Sequence, residues 1–208
     1  LDGGDGDDWL VDQEGSNSLI GGAGNDTFYE WQGGANTIIG GAGDDVFHYV
    51  SSRPESDYFE FWPVEGVDRL TRGAGRDTYE IGHSEYSLAD VITDFETGPG
   101  GDVLDISGLL DLLPGYVRGT SPFVTGHLVL EQDGTSTLLR TPGQYYPNGL
   151  RTILTLENTR VEDLTQDNFV PPYDLSGIFG HVRGTAGKDI LGGTPHPEFL
   201  EGLDGDDI

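Results

Sequence analysis

The sequence predicts an all-β chain, a parallel β-roll (a right-handed β-helix of nonapeptide turns) closed by a cap of β-strands. Three observations carry this prediction. A glycine- and aspartate-rich nonapeptide recurs in register at both ends of the 208 residues. Acidic residues outnumber basic ones 37 to 10, and residues 1–48 contain no Lys or Arg. Between the two arrays, apolar residues alternate at the period of strands.

The repeat follows G-G-x-G-x-D-x-U-x, where U is a large apolar residue. Full copies run over residues 3–11, 21–29 and 40–48. Degenerate copies lie between them: residues 12–20 keep Gly15, Asn17 and Leu19 in phase, and 31–39 keep Gly34, Asn36 and Ile38. The phase lapses after Tyr49 and returns as Gly66, Asp68 and Leu70, then Gly73, Gly75, Asp77 and Tyr79. A second array begins at Gly184, with Gly187, Asp189 and Leu191, and ends on Gly202, Gly205 and Asp207.

Each position has a physical role. The glycines permit positive φ and close approach of neighbouring backbones in a tight turn. The sixth-position aspartate supplies a hard oxygen, and turn carbonyls supply more, which is a ligand set for Ca²⁺. The following three residues form a short strand with U pointing inward. Two nonapeptides make one turn of such a roll, so loops about 18 residues apart stack on the same edge. Shared ion sites are therefore expected between Asp8 and Asp26 and between Asp26 and Asp45. In the second array, Asp189 and Asp207 stand one turn apart. The candidate ligand set is Gly3, Asp5 and Asp8; Gly21, Ala23 and Asp26; Gly40, Ala42 and Asp45; and Asp68, Asp77, Asp189 and Asp207. On the opposite edge Asn17 stacks on Asn36. Asparagine brings a carbonyl oxygen without charge, so that edge is expected to hold metal weakly or not at all. Asp94 and Asp105 are read either as ligands at the cap boundary or as turn acids.

Between residues 78 and 170 the nonapeptide rhythm gives way to strands. Residues 90–95 and 102–107 read as two strands around the turn at 98–101. Further strands are expected at 127–132, 136–140 and 150–156, with Asp133-Gly134 as a tight hairpin turn between the first two. Gly108–Leu113 reads as a short helix ended by Pro114. The organisation expected is a roll over 1–48, an aromatic-rich insert over 49–62, resumed repeats over 63–80, a cap over 81–172 and a second array over 173–208.

The nonapeptides resemble those of the RTX (repeats-in-toxin) family. The last repeat at 73–79, the segments 90–95 and 102–107 and the closing residues 164–170 are similar to the C-terminal domain of serralysin-type proteases and to the R-modules of alginate epimerases. This resemblance implies a module that helps a polypeptide leave a Gram-negative bacterium through the type I secretion machinery and then folds in external calcium. Alternatives from other classes are a polysaccharide-binding R-module and a fragment of an adhesin or toxin. Residues 49–62 and the array after Pro171-Pro172 depart from the simplest pattern. A chain that opens and stops inside repeats is expected to be part of something larger, with the secretion signal beyond Ile208.

Composition narrows the function further. A net charge of −27 argues against a nucleic-acid partner and an anionic membrane surface. The absence of Cys excludes disulfides and thiolate metal sites. No apolar run is long enough to span a membrane. Neither H-E-x-x-H nor G-x-S-x-G occurs, so the zinc-protease and serine-hydrolase markers are missing and no enzyme activity is expected of this chain itself. Of the five histidines, His48, His83, His127, His181 and His196, the first reads as a solvent-facing strand residue. The insert carrying Tyr58, Phe59, Phe61 and Trp62 is open to two readings: it plugs the interrupted roll, or it offers a binding surface.

Overall fold

The computed structural model describes residues 1–13, 15–30, 34–49, 66–81, 89–142, 149–175, 178, 180–183 and 198–201. The chain divides into two compact units, 1–173 and 174–208.

In the first unit each nonapeptide contributes one strand, alternately to one of two sheets. The first sheet takes β1 (Asp2–Asp5), β3 (Ser18–Ala23), β5 (Thr37–Ala42), β7 (Arg69–Ala74) and β9 (Asp90–Ile92) in parallel. The second takes β2 (Trp9–Asp12), β4 (Thr27–Glu30), β6 (Val46–Tyr49), β8 (Thr78–Glu80) and β10 (Val103–Asp105), also in parallel. This is the β-roll expected from the repeat.

The U residues form the core. Leu19, Ile38, Leu70 and Ile92 line up across the first sheet, and Leu10, Phe28, Phe47, Tyr79 and Leu104 across the second. All nine are buried. Parallel in-register pairing puts like on like, so Phe28 stacks on Phe47 at 4.9 Å and Phe47 on Tyr79 at 4.7 Å. Outward-facing neighbours also form a row: Trp9, Tyr29 and His48 are in ring contact, and His48 Nδ1 meets Glu80 Oε2 at 2.5 Å.

Successive turns pack backbone on backbone. A Cβ on Gly22, whose φ is +118°, would run into the carbonyl oxygen of Gly4 in the preceding turn. Only glycine meets both demands.

The roll runs through β9 and β10, so residues 90–105 make its last turn, with one strand in each sheet. The cap builds on that turn. β13 (Leu150–Leu156) joins β9 in parallel, then pairs antiparallel with β12 (Ser136–Pro142), which pairs with β11 (Val129–Asp133) through a turn at Gly134 with φ +58°. The helix α1 spans Ser107–Leu110, shorter than the 108–113 expected, and buries Leu109 and Leu110. β14 (Phe169–Val170) adds to the edge of β10. Buried Asn168 ties the cap to the last roll turn: its Oδ1 accepts the Gly98 amide at 2.8 Å, and its Nδ2 donates to the Asp102 carbonyl at 2.9 Å.

In the second unit β15 (Gly180–Arg183) and β16 (Glu198–Glu201) pair in parallel. No described helix is long and apolar enough to cross a membrane. Asp189, Asp207, His83, His196 and the insert aromatics Tyr58, Phe59, Phe61 and Trp62 lie outside the described residues.

Candidate metal centre: a row of buried aspartates

The sixth position of each nonapeptide falls just before a strand, where the chain leaves its glycine turn. Stacking the turns therefore stacks these aspartates. The Asp8 amide donates to Asp26 Oδ1 at 2.8 Å, and the Asp26 amide to Asp45 Oδ1 at 2.8 Å. The two pairs expected from the 18-residue spacing are thus brought together. The row goes on beyond them: the Asp45 amide donates to Asp77 Oδ1 at 2.7 Å, and the Asp77 amide to Asp102 Oδ1 at 3.0 Å.

One oxygen of Asp26, Asp45, Asp77 and Asp102 is therefore spent on the amide of the preceding turn. The other oxygens, Oδ2 of Asp8, Asp26, Asp45 and Asp77, are buried and make no hydrogen bond. A buried carboxylate oxygen without a partner carries a desolvation cost that a cation can offset. Beside the first three, the first glycine of the repeat leaves a small space. A Cβ on Gly3 would sit 2.7 Å from Asp8 Oδ2 and 2.7 Å from the Gly21 carbonyl oxygen. On Gly21 it would press on Asp26 Oδ2 and stand 2.6 Å from the Gly40 carbonyl. On Gly40 it would press on Asp45 Oδ2 and stand 2.5 Å from the Arg72 carbonyl. Each space is thus walled by a carboxylate of one turn and a carbonyl of the next.

That donor set suits Ca²⁺, which takes hard oxygens from carboxylates and backbone carbonyls alike. Among the described residues no three carboxylate or imidazole side chains converge on one point. Backbone carbonyls are accordingly indispensable to any ion here. Gly3, Gly21 and Gly40 line these spaces, whereas Asp5, Ala23 and Ala42 occupy the strand ends that follow.

Burial acts on the row electrostatically. It pushes the Asp45 carboxyl up to about 6, with the negative charges of Asp26 and Asp44 adding to it and the Asp26 amide opposing. Asp77 rises to about 7, again chiefly by burial, with Asp102 and Asp45 adding to it. Asp102 is also raised by burial, although amide hydrogen bonds from Glu96 and Asp77 and the charge of Arg72 oppose the rise. A metal-free row at neutral pH therefore works against its own charge.

The opposite edge carries a different row. The amides of Asn17, Asn36 and Asp68 donate to Asn36 Oδ1, Asp68 Oδ1 and Asp90 Oδ1, at 2.7, 2.6 and 2.6 Å. Asp68 thus stands on the asparagine edge. Asp12 sits beside Asn17, accepts its Nδ2 at 2.8 Å, and keeps Oδ2 buried without a partner. Asp94 accepts the amides of Arg72 and Gly73 in β7, and Asp105 accepts that of Ser107.

Asp90 and Asp102 are row members that the nonapeptide reading passed over, because the residues before Asp90 carry none of the motif glycines and those before Asp102 keep only Gly98 and Gly100 in phase. Their signal was D-x-U: Asp90-Val91-Ile92 and Asp102-Val103-Leu104 repeat the pattern Asp77-Thr78-Tyr79.

Comparison with known proteins agrees with this geometry. Residues 2–29 and 32–49 match the family model of the RTX calcium-binding nonapeptide repeat, in four copies. Residues 2–29 and 32–49 thus carry repeats of the RTX calcium-binding type. Solved structures similar to it include the AlgE6R2 subunit of the Azotobacter vinelandii mannuronan C5-epimerase, at 24% identity and a TM-score of 0.39, covering 77% of this chain and 91% of that one. The AlgE6R3 subunit of the same enzyme is similar at 27% identity and a TM-score of 0.31, covering 80% and 79%. No curated protein sequence matches the chain.

Proposed function

We propose that this chain is a calcium-dependent folding module of a larger secreted protein. The observation that supports this reading most is the line of buried, unpartnered aspartate oxygens, one per turn, within repeats of the RTX type. On this reading Oδ2 of Asp8, Asp26 and Asp45 binds Ca²⁺ together with the carbonyls of Gly21, Gly40 and Arg72, and Asp77 closes the last of these sites from the following turn. Asp189 and Asp207 would do the same in the second array, and the asparagine edge would bind weakly. Residues 1–48 and 63–80 act as the metal-dependent roll, 81–172 as the segment that closes it, with the last roll turn at 90–105 and the cap built on that turn, and 173–208 as the start of a further roll.

The physical logic is a switch. In a cytosol poor in free Ca²⁺, carboxylate repulsion and the entropy of 34 glycines keep the chain open, a form suited to type I export. Outside the cell, Ca²⁺ binds the folded roll and stabilises it by mass action. One site at a hundred times its Kd contributes about 2.7 kcal/mol. A few such sites reach the stability of an ordinary domain, about 5–15 kcal/mol. Because each ion bridges two turns, folding is steep in calcium. A charge of −27 opposes a polyanionic polysaccharide as ligand.

The test is circular dichroism of the metal-stripped chain during a Ca²⁺ titration, with Mg²⁺ as control. The expected result is a cooperative gain of β signal with Ca²⁺ and little with Mg²⁺, which needs a tight octahedral shell. A β signal equally strong in chelator would remove the switch.

A further inference from the structure

Resting on the calcium reading above, we propose that the protein itself supplies the last cation of the aspartate row. The Arg72 guanidinium occupies the gap between Asp77 and Asp102, and calcium is confined to the gaps before it.

The register identifies the position. Gly73 and Ala74 stand opposite Gly41 and Ala42, so Arg72 replaces the first glycine of the repeat, the place held by Gly3, Gly21 and Gly40. Its backbone still does what glycine does there, since its carbonyl walls the space beside Gly40. Only the side chain is new, and it turns into the next gap. Nε lies 3.1 Å from Asp102 Oδ2, and Nη1 lies 3.3 Å from Asp102 Oδ1 and 3.9 Å from Asp77 Oδ2. Nη1 also donates to the Gly75 carbonyl at 2.8 Å, Nε to the Asp94 carbonyl at 2.8 Å, and Nη2 to Glu96 Oε2 at 2.8 Å. The side chain is only 12% exposed.

A planar cation thus meets carboxylates from two successive turns and carbonyls from the glycine turns, the oxygen types that Ca²⁺ would take. Among the described residues the other gaps have nothing comparable. Residues 1–48 hold no Lys or Arg, and Oδ2 of Asp8, Asp26 and Asp45 stays without a partner. Both oxygens of Asp102, by contrast, are engaged, Oδ2 accepting the Glu96 amide at 2.8 Å as well as Arg72. The capped end of the row therefore carries its own fixed counter-ion.

The experiment is the calcium-to-protein ratio, by atomic emission, of the stripped chain reloaded to saturation in CaCl₂. Arg72→Gly restores the glycine of the other repeats and keeps the carbonyl. It should hold one more ion per chain than the native protein. A folded Arg72→Gly protein with an equal or lower ratio overturns the proposal. If the native chain takes up no calcium, the calcium reading itself falls, and this proposal falls with it. Should Arg72→Gly fail to fold, Asp102→Asn in the otherwise native chain decides. An unchanged ratio, set against the loss of at least one ion in Asp45→Asn, supports Arg72 as the resident cation. An ion lost with Asp102→Asn makes Asp102 a calcium ligand and overturns it.

Discussion

Asp45 and Asp77 are 32 residues apart, yet the amide of the first donates to the carboxylate of the second at 2.7 Å. In the two preceding pairs the same bond joins residues 18 and 19 apart. The roll therefore closes across the long excursion after Tyr49 without losing its register. Asp45 is hydrogen-bonded to the turn on each side, and its carboxylate borders two gaps.

That double role makes Asp45 the most sensitive position for calcium. Asp45→Asn keeps an oxygen for the Asp26 amide but removes the charge. We expect the calcium concentration at the folding midpoint to rise about tenfold or more, equivalent to about 1.4 kcal/mol, with a shallower transition. Asp5→Asn, at an exposed strand end, should move the midpoint less than about twofold. A titration followed by circular dichroism compares the two; equal shifts would disconnect the buried row from metal binding.

Two alanine substitutions separate space from backbone strain. Gly21→Ala places a methyl group between Asp26 Oδ2 and the Gly40 carbonyl, where the ion is expected. It should cost about 1–3 kcal/mol from crowding and lower the calcium ratio. Gly4→Ala meets open space but holds φ at +95°. It should cost about 1 kcal/mol and leave the ratio unchanged.

The pH dependence should reverse with metal. The carboxyls of Asp45 and Asp77 rise from 3.8 to about 6 and about 7 on folding. Between those values the metal-free folded state binds more protons than the unfolded chain, so its stability grows as pH falls from 7 towards 4 and is lost above 7. Calcium competes for the same oxygens, so the calcium midpoint should climb as pH drops below 7. The β signal of the stripped chain by circular dichroism at pH 5 and pH 8 gives the first sign. Greater stability at pH 8 would mean that burial does not dominate at these carboxyls.

The aromatic stack offers a contrast inside the core. Phe47→Ala opens a cavity between Phe28 and Tyr79 and should cost about 3–5 kcal/mol. Tyr79→Phe should be neutral or stabilising by about 1 kcal/mol, because the Tyr79 hydroxyl is buried without a partner. Urea unfolding in saturating calcium measures both. A clear loss in Tyr79→Phe would point to an ordered water on that hydroxyl.

The repeats made much of this legible from sequence. Glycine spacing located the turns, U residues located the core, and counting by 18 located the pairs Asp8–Asp26, Asp26–Asp45 and Asn17–Asn36. Three features escaped. The Asp45–Asp77 bond depends on where the chain returns after residue 49, which local spacing does not encode. Asp90 follows no motif glycine, and Asp102 follows an irregular turn, Asp94–Gly101, that keeps only Gly98 and Gly100 in phase. Arg72 carried no signal of its own, because its meaning lies in a carboxylate 30 residues later.

The aspartate row has a counterpart on the outer rim of the same turns, and the two run in opposite directions. In the buried row every acceptor belongs to the later turn; on the rim, the amides of Asn25, Asp44 and Arg76 donate back to Asp7, Asn25 and Asp44 of the earlier turn. Each internal turn is therefore latched to its predecessor and its successor by side chains of both. Such a stack behaves like a one-dimensional lattice with strong nearest-neighbour coupling, in which a middle turn cannot open without tearing two interfaces. Melting has to start at an end and travel, so hydrogen exchange should grade along the roll axis, not between strand and loop.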